Sequence, residues 1–240
     1  MKLEGGRVLI IGGASGIGFA VAKGAAAEGA QVTLASTDPA RLNMAAQRLG
    51  GADMVRLDVT DEPAVMAYFE GSANFDHIVF TAGDWGPARR AAIADLNLAE
   101  AETLFRVRFW GAVTVAKHGA RRLPAGGSYT LTGGMSAHRP QKGSAIATAM
   151  AGSVEHLTLG LATELAPIRV NAVCPGAIRT EIWERFPEHL REREFARISH
   201  QLLPRIGEPE EVAEAYLYLM RGSYTTGQII WVEGGSALCT

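Results

Sequence analysis

The sequence predicts a single α/β domain: a doubly wound parallel sheet of about seven strands flanked by helices. Three observations carry this. Apolar, β-branched runs alternate with helical patterns along all 240 residues, the order that right-handed crossovers and a parallel sheet require. The first run, Val8 to Ile11, is continuously apolar, as in a strand buried on both faces. It leads through Gly12, Gly16 and Gly18 into an Ala-rich helix from Phe19 to Glu28. The length is ample for one sizeable core, and no repeat, linker or low-complexity segment divides it.

The remaining elements follow in order. Gln31 to Ser36 reads as a second strand, with a helix from about Pro39 to Leu49. Asp53 to Val59 is a third strand. The stretch Thr60-Asp61-Glu62-Pro63 then supplies a cap, an acidic first turn and an early proline to start a helix. Phe75 to Thr81 is the fourth strand, and a long helix is expected from about Ala99 to Arg122 before the turn Pro124–Gly127. Ser128 to Thr132, a helix over Ser144 to Ala166, and Ile168 to Cys174 continue the alternation. Pro209 to Met220 opens on Pro and Glu as a late helix, and Gln228 to Val232 closes the sheet.

Charge and composition exclude several classes. The net charge of -2 and a pI near 6.3 give no electrostatic footprint for nucleic acid or an anionic membrane. The start, Met1 to Arg7, has no apolar core of a signal peptide, and no run reaches transmembrane length. Cys174 and Cys239 form neither a disulfide framework nor a metal-ligand cluster by spacing, so they read as free thiols. The expectation is a soluble, cytoplasmic, metal-free protein with a small-molecule substrate.

In such sheets ligands bind beyond the carboxyl ends of the strands. The turn from Gly12 to Gly18, with Ala14, Ser15, Gly16 and Ile17 between, joins the first strand to its helix. It offers backbone N–H groups and a positive helix end to a pyrophosphate, and a Cβ there would hold the phosphates away. The second strand ends Ala35-Ser36-Thr37-Asp38, with Arg41 one turn later. An acidic residue at position 36 would accept from a ribose diol and repel a 2′-phosphate. Hydroxyls and a guanidinium suit the phosphate, so NADP(H) is expected over NAD(H). Asp38 has two open readings: it caps the next helix, or it reaches the ribose. The third strand ends Asp58-Val59, where a carboxylate can accept from the adenine amino group. The fourth ends Thr81-Ala82-Gly83, where a missing side chain lets adenosine lie against the backbone.

From end to end the chain resembles the short-chain dehydrogenase/reductase family, whose fold is Rossmann-type. The resemblance rests on the glycine turn 12–18, Asp58-Val59, Ala82-Gly83, Asn171-Ala-Val-Cys-Pro-Gly176 with Thr180, and the tail Thr226 to Gly235, in family order. It implies that Pro175-Gly176 lets a nicotinamide approach the sixth strand, that Ile178 backs it, and that Thr180 holds the carboxamide. Ile11 stands where the family usually has Thr, and Phe80-Thr81 where it has Asn-Asn. The resemblance also implies a homodimer or homotetramer. Its interface would pair the Ala99–Arg122 and Ser144–Ala166 helices through Ala112, Ala116, Ala145, Ala149 and Gly152. The segment 181–203 resembles the family's substrate lid.

The family's proton relay is a Tyr-x-x-x-Lys pair, a Ser about thirteen residues upstream and an Asn on the preceding long helix. A nearby ammonium lowers the phenol pKa from about 10, so the Tyr can exchange a proton at neutral pH. Aligned on Ala145 to Gly152, this chain has Ile146 at the Tyr, Met150 at the Lys, Gly133 at the Ser and Arg108 at the Asn. No other Tyr has a Lys four residues later, and no catalytic residue is assigned. His138 and Lys142 are possible substitutes, although Pro140 between them opposes a shared helical turn. An ordinary solvated loop is the better account of both. Trp85, Trp110, Trp183 and Phe186 either wall a pocket or belong to core and interface.

Three functions are consistent with this pattern. One is an atypical NADP(H)-dependent oxidoreductase, weak or specialised, acting on activated carbonyls such as quinones that need no strong general acid. Another is a catalytically silent NADP(H)-binding sensor or partner subunit. The third is a non-redox enzyme performing elimination or isomerisation. Retention of Pro175, Gly176 and Thr180 counts against the third.

Overall fold

The computed structural model describes residues 3–83, 91–185 and 188–239. Seven parallel strands form one sheet in the order β3-β2-β1-β4-β5-β6-β7. They are β1 Arg7–Ile11, β2 Gln31–Ser36, β3 Asp53–Arg56, β4 His77–Phe80, β5 Ser128–Thr132, β6 Arg169–Pro175 and β7 Ile229–Val232. The helices are α1 Gly16–Ala27, α2 Pro39–Arg48, α3 Glu62–Gly71, α4 Leu98–Phe105, α5 Ala112–Gly119, α6 Ala145–Glu164, α7 Glu188–Ile198 and α8 Pro209–Arg221. The doubly wound α/β expectation stands. No described helix is long and apolar enough to cross a membrane.

β1 explains the architecture. Successive side chains of a strand point to opposite faces, and Val8 and Ile10 enter a core shared with α1, α2 and α8. Leu9 and Ile11 enter a second core under α3, α5 and α6. All four are at most 1% exposed, which is why the run contains no polar residue. The strand order reverses between β1 and β4, opening a crevice at their carboxyl ends. Buried Arg169 ties the far end of the sheet to α8, donating to the Leu219 carbonyl at 2.6 Å and the Met220 carbonyl at 3.3 Å. Placing a cation at a helix C-terminus satisfies carbonyls that lack intrahelical partners.

Several boundaries differ from the sequence reading, each for a local reason. β3 stops at Arg56 and β4 starts at His77. Asp61, not Thr60, caps α3: its carboxylate accepts from the Ala64 N–H at 3.1 Å. Thr60 is instead tied to Asp58 through its N–H and hydroxyl, at 2.9 and 2.8 Å. The long helix expected over Ala99–Arg122 is divided into α4 and α5 by a π-helical turn, Arg106–Gly111. Such turns insert an extra residue and re-aim side chains, and this one turns Arg108 inward. Ala112 and Ala116, expected at a subunit contact, are 0% and 6% exposed inside the core. Of the small residues named for that contact, Ala145 and Ala149 remain exposed.

Candidate active site

Every cofactor-site residue picked out in the sequence lines one cleft of about 720 Å³ at the carboxyl end of the sheet. From the β1–α1 turn come Gly12, Ala14, Ser15, Gly16, Ile17 and Gly18; from the end of β2 come Ser36, Thr37, Asp38 and Arg41. Asp58 and Val59 follow β3, and Thr81, Ala82 and Gly83 follow β4. Pro175, Gly176, Ile178 and Thr180 close the other side. The volume falls within the range of small-molecule and cofactor sites.

The glycine turn is shaped as a phosphate cradle. Gly12 and Gly16 have φ of 88° and 52°, a region that favours glycine. A Cβ on Gly12 would lie 2.6 Å from the Ala82 nitrogen, and one on Gly18 2.3 Å from the Gly12 carbonyl. Ser15 precedes α1 without using its side chain as a cap, and the first turn carries no acidic residue. The positive end of the helix therefore faces the cleft uncompensated. These features fit a dinucleotide pyrophosphate.

At the opposite end of that crevice Asp38 caps α2, accepting from the Ala40 and Arg41 N–H groups at 2.9 and 3.1 Å. Its other oxygen lies 3.4 Å from Arg41 Nε. Ser36 Oγ accepts weakly from the Asp38 N–H at 3.4 Å. Of the two readings left open for Asp38, the geometry shows the capping one. The carboxylate is occupied by its own helix and by Arg41.

The rest of the cleft is built by the loop after β5, the π turn and the segment beyond β6. Gly133, Met135, Ser136, Arg139, Gln141, Ser144 and Ala147 line it with Val107 and Arg108. Arg108 is 8% exposed; its Nη1 donates to the Gly133 carbonyl at 3.3 Å. Its guanidinium covers Gly83, where a Cβ would fall 2.5 Å from Nε. Ile146 instead packs against the cluster of Ala101 and Leu104. Met150 is 1% exposed in the core beneath the sheet. Neither lines the cleft. Gly133 has its missing side-chain space filled by Cys174, since a Cβ would sit 2.6 Å from that sulfur.

Among the described residues no Tyr, Lys or His lines the cleft. Tyr129 and Tyr216 are fully buried, donating to the Ala112 carbonyl and paired with Thr132 Oγ1, and burial pushes both phenols up. Lys142 is exposed on the surface. His138 turns away, placing Nε2 2.7 Å from Glu155 and its ring against Trp231. Trp183 lines the cleft, whereas Trp110 is 59% exposed on the outer face of the π turn. Trp85 and Phe186 lie outside the described residues.

Sequence reasoning missed Arg139, which lines the cleft and donates to the Ser236 carbonyl, and it missed Glu155. The signal for Glu155 was available: it interrupts the apolar inward face of α6 formed by Met150, Ala151 and Val154. Cys174, read as an ordinary thiol, donates to Glu155 at 3.0 Å. Burial and that carboxylate push its thiol well up.

Comparisons with known proteins agree with this architecture. Residues 12–237 match the family described as enoyl-(acyl carrier protein) reductase. The short-chain dehydrogenase/reductase malC of Malbranchea aurantiaca is 34% identical, over 98% of this chain and 96% of its own. A solved structure of the MalC reductase/Diels-Alderase from that organism has a TM-score of 0.88 at 33% identity, covering 98% of this chain and 96% of that one. A crystal structure of a small-chain dehydrogenase in complex with NADPH has a TM-score of 0.84 at 37% identity, covering 98% of this chain and 100% of that one. The chain belongs to the short-chain dehydrogenase/reductase family of oxidoreductases.

Proposed function

We propose that the protein is an NADP(H)-dependent oxidoreductase of atypical type, acting on activated carbonyls such as quinones. The observation that carries the reading is a cleft complete in its dinucleotide half and lined, in its substrate half, by Arg108 with no described Tyr, Lys or His. Gly133, Ile146 and Met150 make the family's relay degenerate. Bound NADP(H) would supply the hydride. The glycine turn and the start of α1 hold the pyrophosphate, Ser36, Thr37 and Arg41 face the 2′-phosphate, and Asp58 and Val59 border the adenine. Thr81, Ala82 and Gly83 let the adenosine lie against the backbone, and Pro175, Gly176, Ile178 and Thr180 position the nicotinamide side. Residues 181–203 act as the substrate lid, through Trp183, Glu194, Arg197 and Gln201 in the wall.

Arg108 determines the substrate class. A guanidinium does not release its proton in a protein, so it stabilises a developing oxyanion without protonating it. The acceptor must then be one whose reduced form is a much weaker base than a simple alkoxide, such as the phenolate left when a quinone accepts hydride, with solvent completing protonation. With NADPH, quinone and dicarbonyl acceptors are expected to turn over, and simple ketones to react about 10²–10⁴-fold more slowly, the usual contribution of general acid catalysis. Arg108→Leu should slow quinone reduction by about 10²-fold while leaving NADPH binding within a few-fold. Comparable rates on a simple ketone and a quinone would overturn the reading. Tight NADPH binding with no turnover of any acceptor would favour the silent sensor or partner subunit.

The cofactor preference has its own test. The Asp38 carboxylate is engaged by the α2 N–H groups and Arg41, leaving Ser36 and Thr37 to face the ribose position. Fluorescence titration is expected to give tighter binding of NADPH than of NADH. Ser36→Asp should reverse the order by about 10–100-fold, the worth of one or two charge-assisted hydrogen bonds. Equal wild-type affinities would remove this assignment.

A further inference from the structure

We propose that Cys174, Glu155 and His138 form a binding site for a zinc-class divalent cation behind the substrate wall of the cleft. None of the three lines the cleft itself, so the site is separate from the dinucleotide and stands independently of the proposed activity. Each ligand comes from a different element: Cys174 from the end of β6, Glu155 from the middle of α6, and His138 from the loop after β5. Glu155 Oε1 lies 3.0 Å from Cys174 Sγ and 2.7 Å from His138 Nε2. All three donor atoms fall within 4.8 Å of one another.

The donor set is the one that zinc takes: a sulfur, an imidazole nitrogen and a carboxylate oxygen. With zinc bond lengths of about 2.0–2.3 Å and tetrahedral angles, such atoms stand about 3.4–3.6 Å apart. The two contacts of Glu155 are shorter than this, so the cluster adjusts slightly to admit an ion. His138 can supply that movement because it lies at the surface in a loop rather than in a strand or helix. Its ring is steered by Trp231, whose centroid lies 4.2 Å away. The surface side of His138 leaves the fourth position to water, as in three-ligand zinc sites.

The charge balance also fits. As the cation enters, the Cys174 S–H bond gives its proton to solvent and a sulfur–metal bond forms. A thiolate, a carboxylate and a neutral imidazole then offset the two positive charges. Gly133 is part of the same design, since a side chain there would occupy the space of the Cys174 sulfur. An ion bound here joins β6 to α6 and to the loop that carries Met135, Ser136 and Arg139 to the cleft. Its role is that of a clamp on the substrate wall.

Tag-free protein, reduced with a phosphine, is to be titrated with cobalt(II) and then zinc(II). The expected result is one equivalent of cobalt with the near-ultraviolet charge-transfer band of a cobalt–thiolate bond, removed by zinc. Cys239→Ser should retain the band and Cys174→Ser should lose it. His138→Ala alters only a surface side chain, so it tests the site even where the Cys174 variant folds poorly. It should weaken cobalt binding by more than about 100-fold, beyond the loss expected for an outer partner. Absence of the band at millimolar cobalt, its survival in Cys174→Ser, or unchanged affinity in His138→Ala would each overturn the site and leave a hydrogen-bonded cluster only.

Discussion

Gly18→Ala is expected to weaken NADPH binding by at least about 100-fold, equivalent to about 2.7 kcal/mol. The added Cβ would lie 2.3 Å from the Gly12 carbonyl oxygen and 2.4 Å from Thr81 Oγ1. Neither obstacle moves cheaply. Gly12 is backbone, held by its N–H to the Ala35 carbonyl at 2.8 Å, and Thr81 Oγ1 donates to the Ile11 carbonyl at 3.0 Å. The turn must therefore separate from β4, which re-aims the N–H groups at the start of α1 away from the pyrophosphate position. Gly160→Ala is the matched control. It lies within α6 with open space where its Cβ would go, so it should leave binding unchanged and stabilise the fold by about 0.5–1 kcal/mol. Calorimetric titration of both variants, alongside thermal melts, reads the two effects separately. Binding of NADPH by folded Gly18→Ala within a few-fold of wild type would show that the turn is not the phosphate cradle.

The candidate dinucleotide half of the cleft was legible in the sequence as a set of residues that meet, because its determinants are local. A strand buried on both faces, the glycines that follow it and the residue that ends each strand are fixed by period and position. The glycines and strand-end residues named for the cofactor meet in one cleft. The substrate half was less legible because long-range packing sets it. The inward turn of Arg108 depends on the π turn Arg106–Gly111. That turn fits because Gly111 lies against Val59, where a Cβ would fall 2.5 Å from Val59 Cγ2. Reading Ala99–Arg122 as one continuous helix has no means of showing this. The contact of Cys174 with Glu155 joins residues 19 apart in sequence across the β6–α6 packing, and no spacing rule connects them. The same limitation applies to the small residues on α5. Alanines permit close approach to a partner helix or to the sheet beneath, and in Ala112 and Ala116 the sheet was the neighbour.

The variant Gly133→Ser, Ile146→Tyr, Met150→Lys, which restores the relay residues at their aligned positions, is expected to gain no ketone reductase activity and to lose stability. Gly133 and Met150 have little room for larger or charged side chains. A side chain added at Gly133 would meet Cys174 Sγ at 2.6 Å, an overpacking that costs about 1–3 kcal/mol. The lysine would enter an apolar core at a position now 1% exposed, where an unpaired charge is costly. The tyrosine would displace Ile146 from Ala101 and Leu104, and Arg108 would still cover Gly83 and Gly133. Adding Cys174→Ala and Arg108→Asn relieves the first and last of these obstacles. The five-site variant is therefore expected to reduce simple ketones about 10²-fold faster than wild type, the lower end of what a general acid contributes. On the proposed role of Arg108, it should also lose rate on quinones. The comparison requires folded protein, checked by melts, and rates with both acceptor classes for wild type, triple and five-site variants. Ketone turnover in the triple variant equal to that of the five-site variant would mean that Arg108 and Cys174 do not occupy the relay's space. The two added substitutions matter because a proton donor acts only at contact distance from the reacting oxygen. In this cleft Arg108 lies beside Gly133, the position aligned with the family's Ser.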